Sequence, residues 1–201
     1  MKLWTIQTKQ AFEVLMEKGE LSATLGHQWS ECPQAYSWME RQMEIRLPPR
    51  KTKSQKPLWA WAQWRNALHR KPDLRSVRHD WRPDGDYVLI EMFKQPEEVL
   101  LSDYGAWHFV LNNWYLGVCG KAQKAFDQKL KDHKHEIGKE YPSELMLEVM
   151  KSWEVIFDLD ALDGSYFGRT SCKELQATFW TLKEDEVLSY KYFTSKASDR
   201  F

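Results

Sequence analysis

Residues 87–116 read YVLIEMFKQPEEVLLSDYGAWHFVLNNWYL, and this stretch decides the fold. Val88, Ile90 and Met92 alternate with Tyr87, Leu89, Glu91 and Phe93, so both faces of an extended segment are apolar except at Glu91. That is the pattern of a covered strand rather than an edge. Pro96 marks a turn, 99–101 read as a second short strand, and Ser102 or Asp103 can cap the helix that follows. Trp107, Val110, Leu111, Trp114 and Tyr115 give that helix a broad apolar stripe, predicted to stop at Gly117. Strand, turn, strand and helix within thirty residues predict a sheet carrying packed helices.

On the N-terminal side, residues 3–7 are β-prone and Thr8 can cap a helix bearing Phe12, Leu15 and Met16 at helical spacing. Gly19 stands where a left-handed residue ends it. A second helix is predicted from Pro33 to Leu47, with Tyr36, Met39 and Met43 as its stripe. PPRKTKSQKP (48–57) reads as a basic linker or mobile loop within the domain. In LWAWAQW (58–64), alternation sets Trp59 and Trp61 against Leu58, Ala60 and Ala62, and 65–86 read mostly as loop. On the C-terminal side, 121–140 predict a polar, peripheral helix, and a second begins at Pro142 with Leu145, Val149, Trp153 and Ile156 on one side. Residues 158–170 read as loop, and 174–182 with 187–193 as an antiparallel hairpin. Helical and strand segments in this order predict one α+β domain over residues 1–201, with a small mixed or antiparallel sheet.

With 201 residues the chain can bury roughly 70% of its unfolded surface and needs no disulfide or metal to hold it. Cys32, Cys119 and Cys172 are far apart and form no C-x-x-C pair, which removes a zinc-finger or disulfide-framework reading. No window approaches the 18 apolar residues of a membrane span, so a cytoplasmic protein without a membrane partner is expected. Eleven Trp are mostly expected in the core, with some free to line a pocket for a planar ligand. The chain is neutral, yet residues 41–82 hold twelve Lys or Arg against three acids. Such a segment either meets phosphates or is neutralised by the acidic remainder of the same fold.

Familiar chemical motifs are missing: there is no G-x-S-x-G, P-loop, G-x-G-x-x-G or H-E-x-x-H. DLDALDG (158–164) departs from a calcium loop, since Arg169 stands where a bidentate Glu is required. His133 and His135, two apart on a helix, point about 200° apart and share no metal. No metal site is expected. What remains are polar residues at strand ends: Thr5 with Gln7, Glu174 with Gln176, and Arg75 after KPDL. Asp103, His108 and Asn112, one turn apart in succession, are secondary candidates.

Two resemblances follow. Over its whole length the chain resembles an uncharacterised bacterial family sharing LWTIQ, PLWAW, KPDLR and LLSD-x-x-x-WH-x-x-LN. The opening LWTIQTKQAFEVLMEKGEL, the middle VLIEMFKQPEEVLLSD and the closing LQATFWTLKEDEVLSYKYF also resemble the ADP-ribosyltransferase-like fold. That second resemblance implies NAD or another nucleotide as ligand and a protein or nucleic acid as the modified target. Thr5 falls where that group carries His or Arg, and Glu174-Leu175-Gln176 resembles its late Glu motif with the two polar residues interchanged. Glu174 is then the implied catalytic carboxylate, with Thr5, Gln7, Trp59, Trp61, Arg75 and Gln176 as the implied ligand contacts. The competing expectation is a non-enzymatic regulator of phage or toxin-system type that acts through the basic 41–82 segment.

Overall fold

The structure is a computed structural model that describes residues 1–24, 32–75, 82–136 and 139–196. Its centre is a six-stranded, wholly antiparallel sheet. Strand β1 (Lys2–Thr8) lies between β3 (Leu58–Gln63) and β4 (Gly85–Phe93). Strand β6 (Leu175–Phe179) and then β5 (Leu100–Asp103) extend the β3 side, and β8 (Val187–Ser195) closes the β4 side. A separate ribbon pairs β2 (Glu20–Leu21) with β7 (Leu182–Lys183). The described helices are α1 (Lys9–Lys18), α2 (Pro33–Arg46), α3 (Tyr104–Leu111), α4 (Gly120–Asp132) and α5 (Ser143–Ser152). The fold is α+β, as the alternation of patterns along the chain predicts.

The two faces of the sheet bury different cores. Trp4 lies opposite Trp61 and Leu3 opposite Met92, so the period of two assigns alternate residues to opposite sides. One side carries Leu3, Val88, Ile90, Met92, Ala60 and Ala177 beneath Phe12 and Leu15 of α1. Helix α1 begins at Thr8, whose hydroxyl accepts from the Ala11 N–H at 3.1 Å, and ends at Gly19 with φ +73°. The other side, at the β3–β6–β5 end, is covered by the larger core: Trp38, Met39 and Met43 of α2, Trp107 and Val110 of α3, and Trp153.

Two expectations change. Strands β6 and β8 do not form a hairpin: β6 pairs with β3 and β5, β8 pairs with β4, and three strands lie between them. After Phe179 the chain leaves the sheet, runs β7 against β2, turns at Glu184–Glu186 and re-enters at the far edge. Helix α3 stops at Leu111, because Asn113 adopts φ +55° and its N–H turns back to Val110 O. The 48–57 stretch is fastened to the fold by Gln55, which is buried and donates to Ser22 Oγ, Trp180 O and Thr181 Oγ1.

Candidate functional site

The sheet register decides where the residues singled out in the sequence lie. Thr5 and Gln7 project from the α1 side of the sheet, opposite to Trp4, whereas Trp61, paired with Trp4 and Gln176, projects from the other. Thr5 is buried, its hydroxyl donates to Trp59 O at 2.7 Å, and it accepts from Gln7 Nε2 at 2.8 Å. Trp59 packs its ring against Tyr36 and Trp107, at 5.8 and 5.2 Å between centroids. Burial there pushes the Tyr36 phenol up to about 12, with Cys32 and Tyr104 adding to the effect. Trp61 sits against Trp64 and Tyr104 at 4.8 and 5.0 Å. Arg75 is exposed and bonds Asp73 through Nε at 3.0 Å. Gln176 Oε1 is buried with no hydrogen-bond partner among the described residues, opposite Ser102, whose Oγ is in the same condition. Thr5 and Gln7 therefore lie on one side of the sheet, and Trp59, Trp61 and Gln176 on the other.

A different constellation does converge. Where α3 ends, Asn113 reverses the chain, and Trp114 O accepts from Trp153 Nε1 at 2.7 Å while Leu116 N–H donates to Ser152 Oγ at 2.9 Å. Gly117 packs tightly beside this anchor, since a Cβ added there would sit 3.0 Å from Gln123 N. Beyond this close contact with α4, the 112–119 segment lines a cavity of about 610 Å³. Its walls are aromatic. Tyr115 stacks on Phe126 at 4.0 Å and 6°, Tyr141 meets Phe126 edge-on at 5.9 Å, and Phe109 faces Phe167 at 6.0 Å. Trp114 stands at the rim, 54% exposed. Asp127 and Asp163 are the carboxylates of the lining. Bonds from the Ser165 hydroxyl and N–H hold the Asp163 carboxyl below the usual range, and burial followed by the Asp127 charge raises the Tyr141 phenol.

Phe167 also lines a second, polar recess with Arg65, Asn66, Asp103, Cys172, Lys173 and Glu174. This recess sits at the shared end of β5 and β6. Asp103 caps α3 by accepting from Ala106 N–H at 3.0 Å, and its other oxygen lies 3.0 Å from Lys173 Nζ, both side chains being buried. Lys173 Nζ donates in addition to Leu159 O at 2.6 Å, which ties the 158–173 loop to the sheet. Glu174 is half-buried, and its carbonyl accepts from Tyr104 N–H at 3.0 Å. Of the secondary candidates, Asp103 thus lies in the recess. His108 is exposed on α3 with its ring 4.8 Å from Tyr104, and Asn112 caps the end of that helix by donating to His108 O.

The aromatic cavity escapes sequence reading because its rings come from five separate segments. The only local signal is Trp114-Tyr115, two large rings just beyond a helix stop.

Part of the basic segment is neutralised inside the fold. Lys56 pairs with Glu40 at 2.7 Å, Arg50 with Glu40 and Glu44, Lys51 with Glu20, and Arg46 with Glu154 at 3.9 Å. Arg70 is spent on Ala62 O and Lys2 O, beside the Trp4 ring. These cations are thereby compensated by acids and carbonyls of the same fold. No described helix is long and apolar enough to cross a membrane.

Neither the curated proteins nor the solved structures include a match to this chain. A family model described as a domain of unknown function, DUF3841, matches residues 2–188, from β1 to the start of β8, and the chain belongs to that family.

Proposed function

We propose that the protein binds a dinucleotide of the NAD class across Phe167, and that Glu174 is the carboxylate of an ADP-ribosyl transfer to a macromolecule. The observation that carries this reading is the shared lining: Phe167 borders both the aromatic cavity and the recess of Arg65 and Glu174. A nucleotide divides the same way, into a flat ring and a sugar bearing phosphate. Stacking on an aromatic side chain contributes about 1–3 kcal/mol per base, and a guanidinium such as that of Arg65 suits phosphate oxygens. Breaking the glycosidic bond to nicotinamide sends the bonding pair out with the leaving ring and develops positive charge on the ribose. A carboxylate at that point stabilises the charge until a nucleophile of the target forms the new bond and gives up its proton. The likeness of Glu174-Leu175-Gln176 to the late Glu motif of the transferases supports the same assignment.

Calorimetric titration with NAD, followed by an NAD-consumption assay, tests it. Wild type and Glu174→Gln are expected to bind NAD alike, with consumption falling about 100-fold or more in the variant. Failure of NAD, ATP and AMP all to bind overturns the nucleotide reading. Undiminished consumption by Glu174→Gln removes that residue from the chemistry.

A further inference from the structure

We infer that the aromatic cavity is a site for a flat organic cation, one that takes a positively charged nitrogen heterocycle in preference to a neutral ring of the same shape. The walls supply the two features a desolvated cation needs. Ring faces carry negative quadrupole density, and Tyr115, Phe126, Tyr141, Phe109 and Phe167 gather five rings around one space. The charged side chains of that lining, among the described residues, are acids: Asp127 from α4 and Asp163 from the 158–170 loop, with no Lys or Arg.

Both carboxylates are held in place and incompletely used. Asp127 Oδ1 accepts from Gln123 Nε2 at 2.9 Å. Asp163 Oδ1 accepts from Ser165 N–H at 2.9 Å and Ser165 Oγ at 2.7 Å. In each, Oδ2 makes no hydrogen bond with a described residue, and neither carboxylate forms an ion pair with one. Two like charges that line an apolar space have no counter-charge among the described residues, and a cationic ligand supplies one. The bonds that lower the Asp163 carboxyl keep it ionised through the neutral range, and the raised Tyr141 phenol stays neutral there. At about 610 Å³ the space falls within the range of small-molecule sites, roughly 300–1,000 Å³.

For the dinucleotide, the consequence rests on the reading given under Proposed function: the cationic nicotinamide of the oxidised form, rather than adenine, occupies the cavity. Glu174, across Phe167, then faces the ribose that carries that ring.

The test compares 1-methylnicotinamide, a pyridinium cation, with neutral nicotinamide by calorimetry on the full chain at low salt. The cation is expected to bind about tenfold tighter or more. Asp127→Asn and Asp163→Asn should each weaken the cation about five- to tenfold and leave nicotinamide unchanged. Trp114→Ala, at a rim position 54% exposed and so of little consequence for folding, should weaken it about threefold or more. Equal affinity for the two wild-type ligands overturns the inference, as does cation binding indifferent to both Asn variants. Should the Asn variants fail to fold, the wild-type comparison still decides. NAD that does not bind while 1-methylnicotinamide binds with this pattern overturns the nucleotide reading and upholds the cation site. NAD that binds equally to wild type and both Asn variants overturns the cation site and leaves the nucleotide reading standing.

Discussion

Asp103 joins structure to site within a single side chain. One oxygen closes the first turn of α3, and the other faces the buried Lys173 ammonium. Removing the carboxylate leaves that ammonium buried without its charge partner, a change that costs roughly 3–5 kcal/mol, with about 1 kcal/mol more for the lost cap. Asp103→Ala is therefore expected to lose about 4–6 kcal/mol in urea unfolding, the sum of those two terms. Asp103→Asn keeps an oxygen for the Ala106 N–H and should recover only the smaller part. Equal losses in the two variants contradict a charge role for Asp103. Asp103 was legible in the sequence as a helix cap, because a short polar side chain before an apolar stripe is a local signal. Its pairing with Lys173 was not, because the two are seventy residues apart and meet only through the β5–β6 register.

Among the elements, those with local punctuation were readable. Helix α1 combines a Thr8 cap, an apolar stripe and Gly19 at φ +73°. A methyl on Gly19 meets nothing within 4 Å, so its cost comes from the left-handed backbone alone. Gly19→Ala should accordingly lose about 1 kcal/mol in thermal or urea unfolding, without changing the spectrum of the folded protein. Strands were legible as strands but not in their partners. VLSYKYF alternates and forms β8, yet its neighbour is β4 rather than β6. Adjacency in sequence argued for a hairpin, and seven residues between the strands proved enough to detour through β7. The end of α3 also came early. Trp114 and Tyr115 fit a helical stripe by spacing, but Asn113 tolerates a positive φ and turns their rings into the cavity wall.

At the scale of the whole molecule, the register between β1 and β3 settles what spacing leaves open. Period two groups Thr5 with Gln7 and Trp59 with Trp61, but only the pairing of Trp4 with Trp61 shows that the two groups lie on opposite sides of the sheet. A shift by one residue would unite them. The α+β class followed from composition and pattern, whereas the site depends on loops whose approach no periodicity encodes. Glu174 shares its recess with Arg65 and Phe167 rather than with Thr5. The most direct measurement is a crystal structure of the chain grown with NAD. The account predicts ligand density that crosses Phe167, its pyridinium ring within the aromatic cavity beside Asp127 and Asp163 and its ribose next to Glu174. Ligand density on the α1 side of the sheet by Thr5 and Gln7, with the aromatic cavity unoccupied, contradicts it.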